Sequence, residues 1–225
     1  MNHPDILAAP PRGPSGTRTT PRLAAAGTPV ALRDGSVVLI RQVRRTDAPL
    51  LADGFARLSP RSRRMRFLGA KTTLSAADLR YFTEVDHHDH EAIVALEEES
   101  GEGIGVARYV RNGARPDVAE VAVTVVDDWQ GRGLGTLLLE VVSARARGQD
   151  IRSFTALMLA TNREMITLLE RLGPLRVVDR EVGTVEIEMP IPELGLSPVL
   201  RKLLRIAAGT DLAAPPGPHR GHARG

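Results

Sequence analysis

The residues VAEVAVTVVDDWQGRGLGT, at positions 118–136 of this 225-residue chain, predict a strand that leads through a glycine-rich turn into a helix. Their first half is a run of β-branched and small residues, which predicts a strand over 118–126. From position 134 onward, apolar residues recur at helical spacing until Gly148, so a helix follows. The turn between them therefore opens a helix, where unpaired backbone N–H groups and a partial positive charge favour an anion.

Three glycines suit this turn to a phosphate ligand. Gly131, Gly133 and Gly135 let the backbone approach a phosphate without an intervening Cβ, and Arg132 adds a positive charge. We therefore expect a pyrophosphate here, with a plain tight turn as the competing interpretation. A dinucleotide fingerprint is disfavoured by the spacing and late position of the glycines, and a Walker loop by the absence of a following Gly-Lys-Ser/Thr.

Upstream of this turn, the sequence predicts a strand, short helices and an antiparallel meander. The strand is 37–41, and capping signals at Asp47, Ser59 and Ser75 open the helices. Three strand-like runs with short turns between them then follow, at 92–96, 104–110 and 118–126.

Downstream of the helix that ends at Gly148, the sequence predicts a strand, a helix and a closing hairpin. The strand is 154–159, and Asn162 caps a helix that Gly173-Pro174 ends. The runs 175–178 and 185–189 can form the hairpin. We therefore expect an α/β (α+β) protein with about seven strands, mainly antiparallel, flanked by helices.

Composition bounds the class of protein. The chain is 42% hydrophobic, and we expect one folded domain at 30–192, between a disordered arm at 1–29 and a partly disordered tail at 193–225. The absence of cysteine, of a signal peptide and of an apolar run of about 18 residues predicts a soluble cytoplasmic protein. The formal charge is +3, carried by dispersed arginines, so we expect no nucleic-acid or membrane partner, and a monomer or homodimer.

Residues 130–135 resemble the Q/R-x-x-G-x-G/A signature of the GNAT N-acetyltransferases, and 162–173 resemble that family's next helix. The similarity extends over roughly 37–189 and implies a GNAT-like mixed sheet and acetyl-CoA as co-substrate. It further implies a set of residues that hold the coenzyme. These are Val123, Thr124 and Val125 along the pantetheine, Gln130, Gly131, Arg132, Gly133, Leu134, Gly135 and Thr136 at the pyrophosphate, and Asn162 on the opposite side.

The segments 58–67, 86–91 and 119–123 further resemble the bacterial protein lysine acetyltransferases of the Pat type. This resemblance implies a protein lysine as acceptor, such as one on an acyl-CoA synthetase. Some of these enzymes carry a fused cyclic-nucleotide-binding domain, and we expect none within 225 residues.

Glu120 is the candidate catalytic base. Attack on a thioester requires a neutral amine, so a base must take the ammonium proton, and Pat-type enzymes have a glutamate at the matching place. Its neighbours in the strand are apolar, which predicts partial desolvation of the carboxylate. A solvent-facing residue paired with an arginine is the competing interpretation.

Two further features bear on the chemistry. Many family members carry a tyrosine on the late helix, where this chain has Leu169, so we expect water or another group to protonate the thiolate. His87, His88 and His90 form the second feature. Their spacing disfavours a metal site, and we expect no metal, which leaves a loop at the acceptor mouth or a plain polar turn.

Two alternative functions stay open on the sequence. A small-molecule acetyltransferase acting on an antibiotic or polyamine would need an acidic pocket, for which Glu97, Glu98, Glu99, Asp127 and Asp128 are available. A non-catalytic acyl-CoA-binding sensor would explain the missing tyrosine.

Overall fold

A single mixed sheet organises the chain. The structure, a computed structural model, describes residues 27–191. Five α-helices and eight strands follow one another along these residues in this order: β1 (Thr28–Ala31), β2 (Val37–Gln42), α1 (Ala48–Ala56), α2 (Pro60–Phe67), α3 (Ala76–Thr83), β3 (His90–Glu97), β4 (Gly103–Arg111), β5 (Val118–Val125), α4 (Leu134–Arg147), β6 (Ser153–Leu159), α5 (Arg163–Glu170), β7 (Arg176–Glu181) and β8 (Thr184–Pro190).

The spatial order of the strands is β1-β2-β3-β4-β5-β6-β8-β7. Every neighbouring pair is antiparallel except β5 and β6, which run parallel because α4 crosses over between them. The predicted fold class is confirmed, but the expected number of about seven strands was one too low. The additional strand is β1, which begins at Thr28, two residues before the predicted domain boundary.

The sheet separates two helical layers. Gly105 of β4 faces Leu138 of α4, whereas Gly103 of the same strand faces Leu50 of α1. The α4 face carries most of the core, including the fully buried Tyr109 and Phe154. Helices α1 to α3 cover the other face. One face of β5 consequently packs under α4, and its other face lies on the side of α1 to α3.

Local capping signals fixed most of the helix starts. The side chains of Ser59, Ser75 and Asn162 each accept a hydrogen bond from the backbone N–H three residues later, at the start of α2, α3 and α5. Asp47 stands before α1 as predicted, but its side chain does not cap that helix. Its buried carboxylate instead accepts two hydrogen bonds from Arg41, at 2.6 and 2.8 Å.

The predicted N-terminal arm lies outside the described residues apart from its last three, 27–29, and the predicted tail at 193–225 lies wholly outside them. Within 27–191, no helix is long and apolar enough to cross a membrane.

Candidate active site

The sheet opens between β5 and β6. These strands pair only from Val118 with Ser153 to Glu120 with Thr155. Beyond that point, residues 121–125 have no partner strand on the β6 side within the described chain. The fork is the mouth of a cleft of about 630 Å³, a volume suited to a coenzyme-sized ligand.

The signature turn lies at one end of this cleft. In the part of the chain that the structure describes, none of the six backbone N–H groups of residues 131–136 donates a hydrogen bond to the protein. The first amide of α4 that does so is that of Leu137, which donates to the carbonyl of Gly133 at 3.1 Å. Six free donors at a helix N-terminus are the backbone arrangement that favours an anion, and the anion itself stays a prediction.

Two of the glycines are required by the backbone. Gly131 has φ +75° and Gly133 has φ +91°, conformations that residues with a Cβ adopt only at a cost. Gly135 is needed for a different reason, since a Cβ there would lie 3.3 Å from Leu168 of α5. The turn is therefore shaped by backbone geometry at its first two glycines and by close helix packing at the third.

Most of the residues predicted to hold the coenzyme line the cleft. The structure brings together Val123, Thr124, Val125, Gln130, Gly131, Gly133, Gly135, Thr136 and Asn162. The side chains of Arg132 and Leu134 do not line it. Leu134 is in the core with 1% exposure, and the guanidinium of Arg132 stacks 4.6 Å from the Trp129 ring and donates to the carbonyl of Asp128 at 2.9 Å. Only their backbone N–H groups belong to the anion site.

Asn162 faces the cleft from the β6 side. Its Oδ1 accepts from the backbone N–H of Met165 at 3.1 Å, and this hydrogen bond fixes the side chain. The Nδ2 group has no acceptor among residues 27–191. Asn162 thus serves as a helix cap and leaves an amide donor for a ligand.

Five arginines line the cleft, and the sequence alone predicts a role in coenzyme binding for none of them. They are Arg33, Arg61, Arg66, Arg163 and Arg171. They come from three separate segments, the β1–β2 turn, α2 and α5 with its C-cap, so no local sequence signal could group them. Arg61 also forms an ion pair at 3.0 Å with Glu164, which links α2 to α5 across the cleft. This positive lining suits a ligand that carries several phosphates.

A hydrogen-bonded clamp joins α2 to the end of β5. Asp127 accepts hydrogen bonds from the Ser59 hydroxyl at 2.7 Å, the Ser59 backbone N–H at 2.9 Å and the Ser62 hydroxyl at 2.9 Å. Burial acts to raise the pKa of Asp127, but these hydrogen bonds outweigh it and hold the pKa below its usual value. The clamp positions α2 beside the signature turn.

Glu120 lies at the fork itself, as the last residue of β5 that pairs with β6. Its side chain is exposed, so the predicted desolvation of the carboxylate was wrong. The reason is the alternation of the strand. Ala119 and Val121 point into the core under α4, whereas Glu120 points to the opposite side. An exposed carboxylate at this point is accessible to an incoming amine.

Two arginines lie on the side of the sheet to which Glu120 points. Arg66 of α2 is half-buried, and Arg108 of β4 is only 6% exposed. Burial, followed by the positive charge of Arg66, lowers the pKa of Arg108 to about 9. Burial likewise lowers the pKa of Arg66, and the negative charge of Glu120 opposes that effect. The charge of Glu120 therefore acts on Arg66, and the charge of Arg66 acts on Arg108.

The histidine segment is mainly a polar turn. The Asp86 carboxylate accepts from the backbone N–H groups of His88, Asp89 and His90. His90 differs from its neighbours because its Nε2 lies 3.2 Å from Arg108. Burial, and then the charge of Arg108, lower the pKa of His90 to about 4. Across residues 27–191, no group of His, Asp and Glu is arranged to hold a metal ion.

Neither tyrosine of the chain lines the cleft. Leu169, at the position where the family resemblance places a tyrosine, is fully buried. Tyr109 is also buried and donates to the carbonyl of His88 at 2.8 Å. Tyr81 is 53% exposed and stacks on His90, with 5.0 Å between ring centroids.

The open fork, the free amides and the mixed sheet are typical of the acetyltransferase domain of the GNAT family. The family model described as acetyltransferase (GNAT) domain matches residues 38–174, and the chain belongs to this family. It is 34% identical over 185 residues to the acetyltransferase Pat of Mycolicibacterium smegmatis, covering 81% of this chain and 55% of that protein. This chain thus spans about half the length of that relative.

Two further comparisons agree. An acetyltransferase of Pseudomonas aeruginosa is 37% identical over 145 residues, which cover 64% of this chain and 77% of that protein. The solved GNAT domain of S. lividans PAT matches with a TM-score of 0.68 and 34% identity, covering 73% of this chain and 96% of that one. The family and the Pat-type resemblance predicted from the sequence are confirmed.

Proposed function

We propose that this protein transfers an acetyl group from acetyl-CoA to the side-chain amine of a protein lysine, with Glu120 as general base. The proposal takes residues 30–192 as the acetyltransferase domain. The family membership supports the reaction class, and the similarity to Pat supports a protein acceptor. The observation that carries the proposal is the set of six free backbone N–H groups at one end of a cleft that opens at the β5–β6 fork, where Glu120 is the last residue of β5 to pair with β6.

The coenzyme would bind mainly through the backbone. Its pyrophosphate would accept hydrogen bonds from the amides of 131–136, at the positive end of the α4 dipole. Its pantetheine arm would lie along residues 123–125 as an added strand, because these residues have no partner on that side. The Nδ2 of Asn162 would donate from the opposite wall. This arrangement directs the thioester towards the fork.

The chemistry needs one base and one site for the acceptor. The lysine ammonium would lose a proton to Glu120, directly or through water, and the neutral amine would attack the thioester carbonyl carbon. The C–N bond forms, the C–S bond breaks, and the second proton lost by the attacking nitrogen passes through water to the departing CoA thiolate. No tyrosine is available in the cleft for that last step.

Among residues 27–191, the acidic residues that the sequence offers for an antibiotic or polyamine acceptor do not line the cleft; they are Glu97, Glu98, Glu99, Asp127 and Asp128. Asp127 is engaged by Ser59 and Ser62. Of the acidic residues in the described chain, only Glu164 lines the cleft, and it is paired with Arg61. The charge of the cleft therefore favours the protein acceptor over a polycation.

Two measurements test the proposal. Calorimetry with acetyl-CoA should show saturable binding, and labelled acetyl-CoA with lysine-bearing proteins, including an acyl-CoA synthetase, should give acceptor-dependent release of CoA. Binding without acceptor-dependent release would support the sensor interpretation instead. An absence of binding would refute the assignment of the signature turn.

A further inference from the structure

Two arginines on the Glu120 side of the sheet, the buried Arg108 and the half-buried Arg66, form no hydrogen bond or ion pair with an anionic group among residues 27–191. Arg108 donates to neutral groups only. Its Nη2 donates to the carbonyl of Phe82 at 3.3 Å, its Nη1 lies 3.2 Å from Nε2 of His90, and its guanidinium stacks 4.4 Å from the Phe82 ring. Because an arginine can only donate, the His90 ring nitrogen accepts and the imidazole is neutral.

Arg66 also has no ion-paired or hydrogen-bonded anion within the described residues. Its guanidinium lies 5.1 Å from the Phe67 ring, and it forms no hydrogen bond or ion pair with any residue in 27–191. Two other arginines with largely buried side chains are ion-paired. Arg41 is paired with Asp47 at 2.6 Å and Arg145 with Glu91 at 2.8 Å. Burying an unpaired charge is costly, so the buried guanidinium of Arg108, with the half-buried Arg66 beside it, points to a site for an external anion.

The register of the sheet places this pair beside the proposed base. Glu120 pairs with Val110, and Ala122 pairs with Arg108. Glu120 and Arg108 are therefore diagonal neighbours on one face of the sheet, the face covered by α1 to α3. Arg66 lines the coenzyme cleft and also a small, mainly apolar cavity that Arg108 shares.

The pair is separate from the phosphate end of the cleft. Ser62 of α2 lies near Gln130 of the signature turn, with 3.4 Å between Oγ and Nε2. Arg66 is one helical turn further along α2, in the direction of Glu120. An anion held by Arg66 and Arg108 would thus sit next to the reacting amine rather than next to the pyrophosphate.

We propose that Arg66 and Arg108 bind a carboxylate carried by the acceptor close to its nucleophilic amine. This inference rests on the proposed acetyl transfer and adds the chemical class of its acceptor. The carboxylate could come from an acidic residue beside a protein lysine or from a free amino acid. In either case two guanidinium groups would give charge-assisted hydrogen bonds to it.

Matched acceptor pairs distinguish the two sources. The first pair is two lysine peptides that differ only in a glutamate or glutamine beside the lysine. The second is L-leucine and L-leucinamide. We expect wild type to favour the carboxylate member of one pair by about tenfold or more in kcat/KM. Equal use of both members in both pairs would overturn the proposal.

Substitutions test whether Arg66 and Arg108 cause the preference for the carboxylate acceptor. Arg66→Met and Arg108→Met should reduce it to about twofold or less, and Arg66→Lys should retain part of it. Arg64→Met is the matched control, because Arg64 lies in the same helix with its side chain exposed. Thermal unfolding identifies a variant that fails to fold. If Arg108→Met does so, the half-buried Arg66 still decides the outcome.

A binding measurement separates this inference from the reaction itself. The Nε-acetylated forms of the two peptides, titrated calorimetrically into the protein with CoA, should differ about tenfold in Kd even if turnover is slow. If Arg66→Met instead weakens acetyl-CoA binding and leaves the peptide preference intact, Arg66 is a coenzyme ligand and the proposal fails.

Discussion

The hydroxyl of Ser59 donates a 2.7 Å hydrogen bond to the carboxylate of Asp127, a residue 68 positions later in the chain. The same serine caps α2 through its Oγ. Asp127 follows β5 and precedes the signature turn. One small polar contact therefore sets the position of α2, which carries Arg61 and Arg66, against the turn that offers free amides to the coenzyme.

Removing this contact should weaken both folding and coenzyme binding. Asp127→Ala deletes three hydrogen bonds to a charged group, and we expect a loss of about 2 kcal/mol in the free energy of unfolding and a severalfold higher Kd for acetyl-CoA. Urea denaturation and calorimetry measure the two effects. Asp128→Ala is the control, since this exposed neighbour makes no side-chain hydrogen bond within the described chain.

The same carboxylate has a defined pH dependence. Its pKa is lowered in the folded protein, so the clamp contributes fully above the unfolded value of about 3.9. That contribution is lost as the pH falls through the lower folded pKa. Asp127→Ala should therefore differ least from wild type in strong acid.

Gly133→Asp should abolish acetyl-CoA binding. The substitution puts a negative side chain where a phosphate is expected, at a residue with φ +91°. Gly183→Asp is the matched control, because Gly183 also has positive φ, +86°, and lies in the β7–β8 turn with nothing near its Cβ position. A folded Gly133→Asp protein with unchanged affinity in calorimetry would refute the phosphate site.

Glu120→Gln should slow acetyl transfer by on the order of 10²-fold or more while sparing acetyl-CoA binding. The amide keeps the shape of the side chain but cannot accept the ammonium proton. Steady-state kinetics and calorimetry give the two quantities. Glu98→Gln, in the exposed β3–β4 turn, should behave as wild type. Full activity in Glu120→Gln would assign the base elsewhere.

The sequence predicted what depends on local signals. Ser59, Ser75 and Asn162 cap their helices because an N-cap needs only its own side chain and the next three residues. It missed β1, whose four residues TPVA show no clear alternation. That strand exists through its pairing with β2, from Thr28 opposite Ile40 to Ala31 opposite Val37, a partner that composition alone does not identify.

The site was predictable in its backbone and not in its side chains. The glycines placed the free amides correctly, since φ preference and helix polarity are local properties. Arg132, beside those glycines, turns to Trp129 and Asp128. Arg33 instead approaches from 100 positions earlier, within 3.7 Å of the Cβ position of Gly133. Which arginine lies beside the turn therefore depends on the tertiary fold.

Glu91 should be the most sensitive carboxylate for folding. It is fully buried and bonded to Gln42, His87, Arg145 and its neighbour's backbone N–H. Glu91→Ala leaves Arg145 without its anion, and we expect a loss of about 3–5 kcal/mol in urea denaturation. Glu91→Gln should lose less. The exposed Glu99→Ala should change the free energy of unfolding by less than about 0.5 kcal/mol.

His90 should make the fold sensitive to mild acid. Its pKa falls to about 4 in the folded protein, because of burial and then the charge of Arg108, against about 6.5 when unfolded. The unfolded state binds more protons between these values, so stability should fall as the pH drops from 6.5 towards 4. Urea midpoints at pH 7 and 5 should converge in His90→Asn. The exposed His88→Asn should keep the wild-type dependence.

Within the described residues, three residue pairs, from Val118 with Ser153 to Glu120 with Thr155, form the ladder between β5 and β6 in the middle of the sheet. A pantetheine arm bonded along 123–125 would supply hydrogen bonds where β5 has no partner strand on the β6 side. The coenzyme would then be an architectural component as well as a reactant. The thermal midpoint should consequently climb with acetyl-CoA concentration, and amide exchange in β5 and β6 should slow more than in the β7–β8 hairpin.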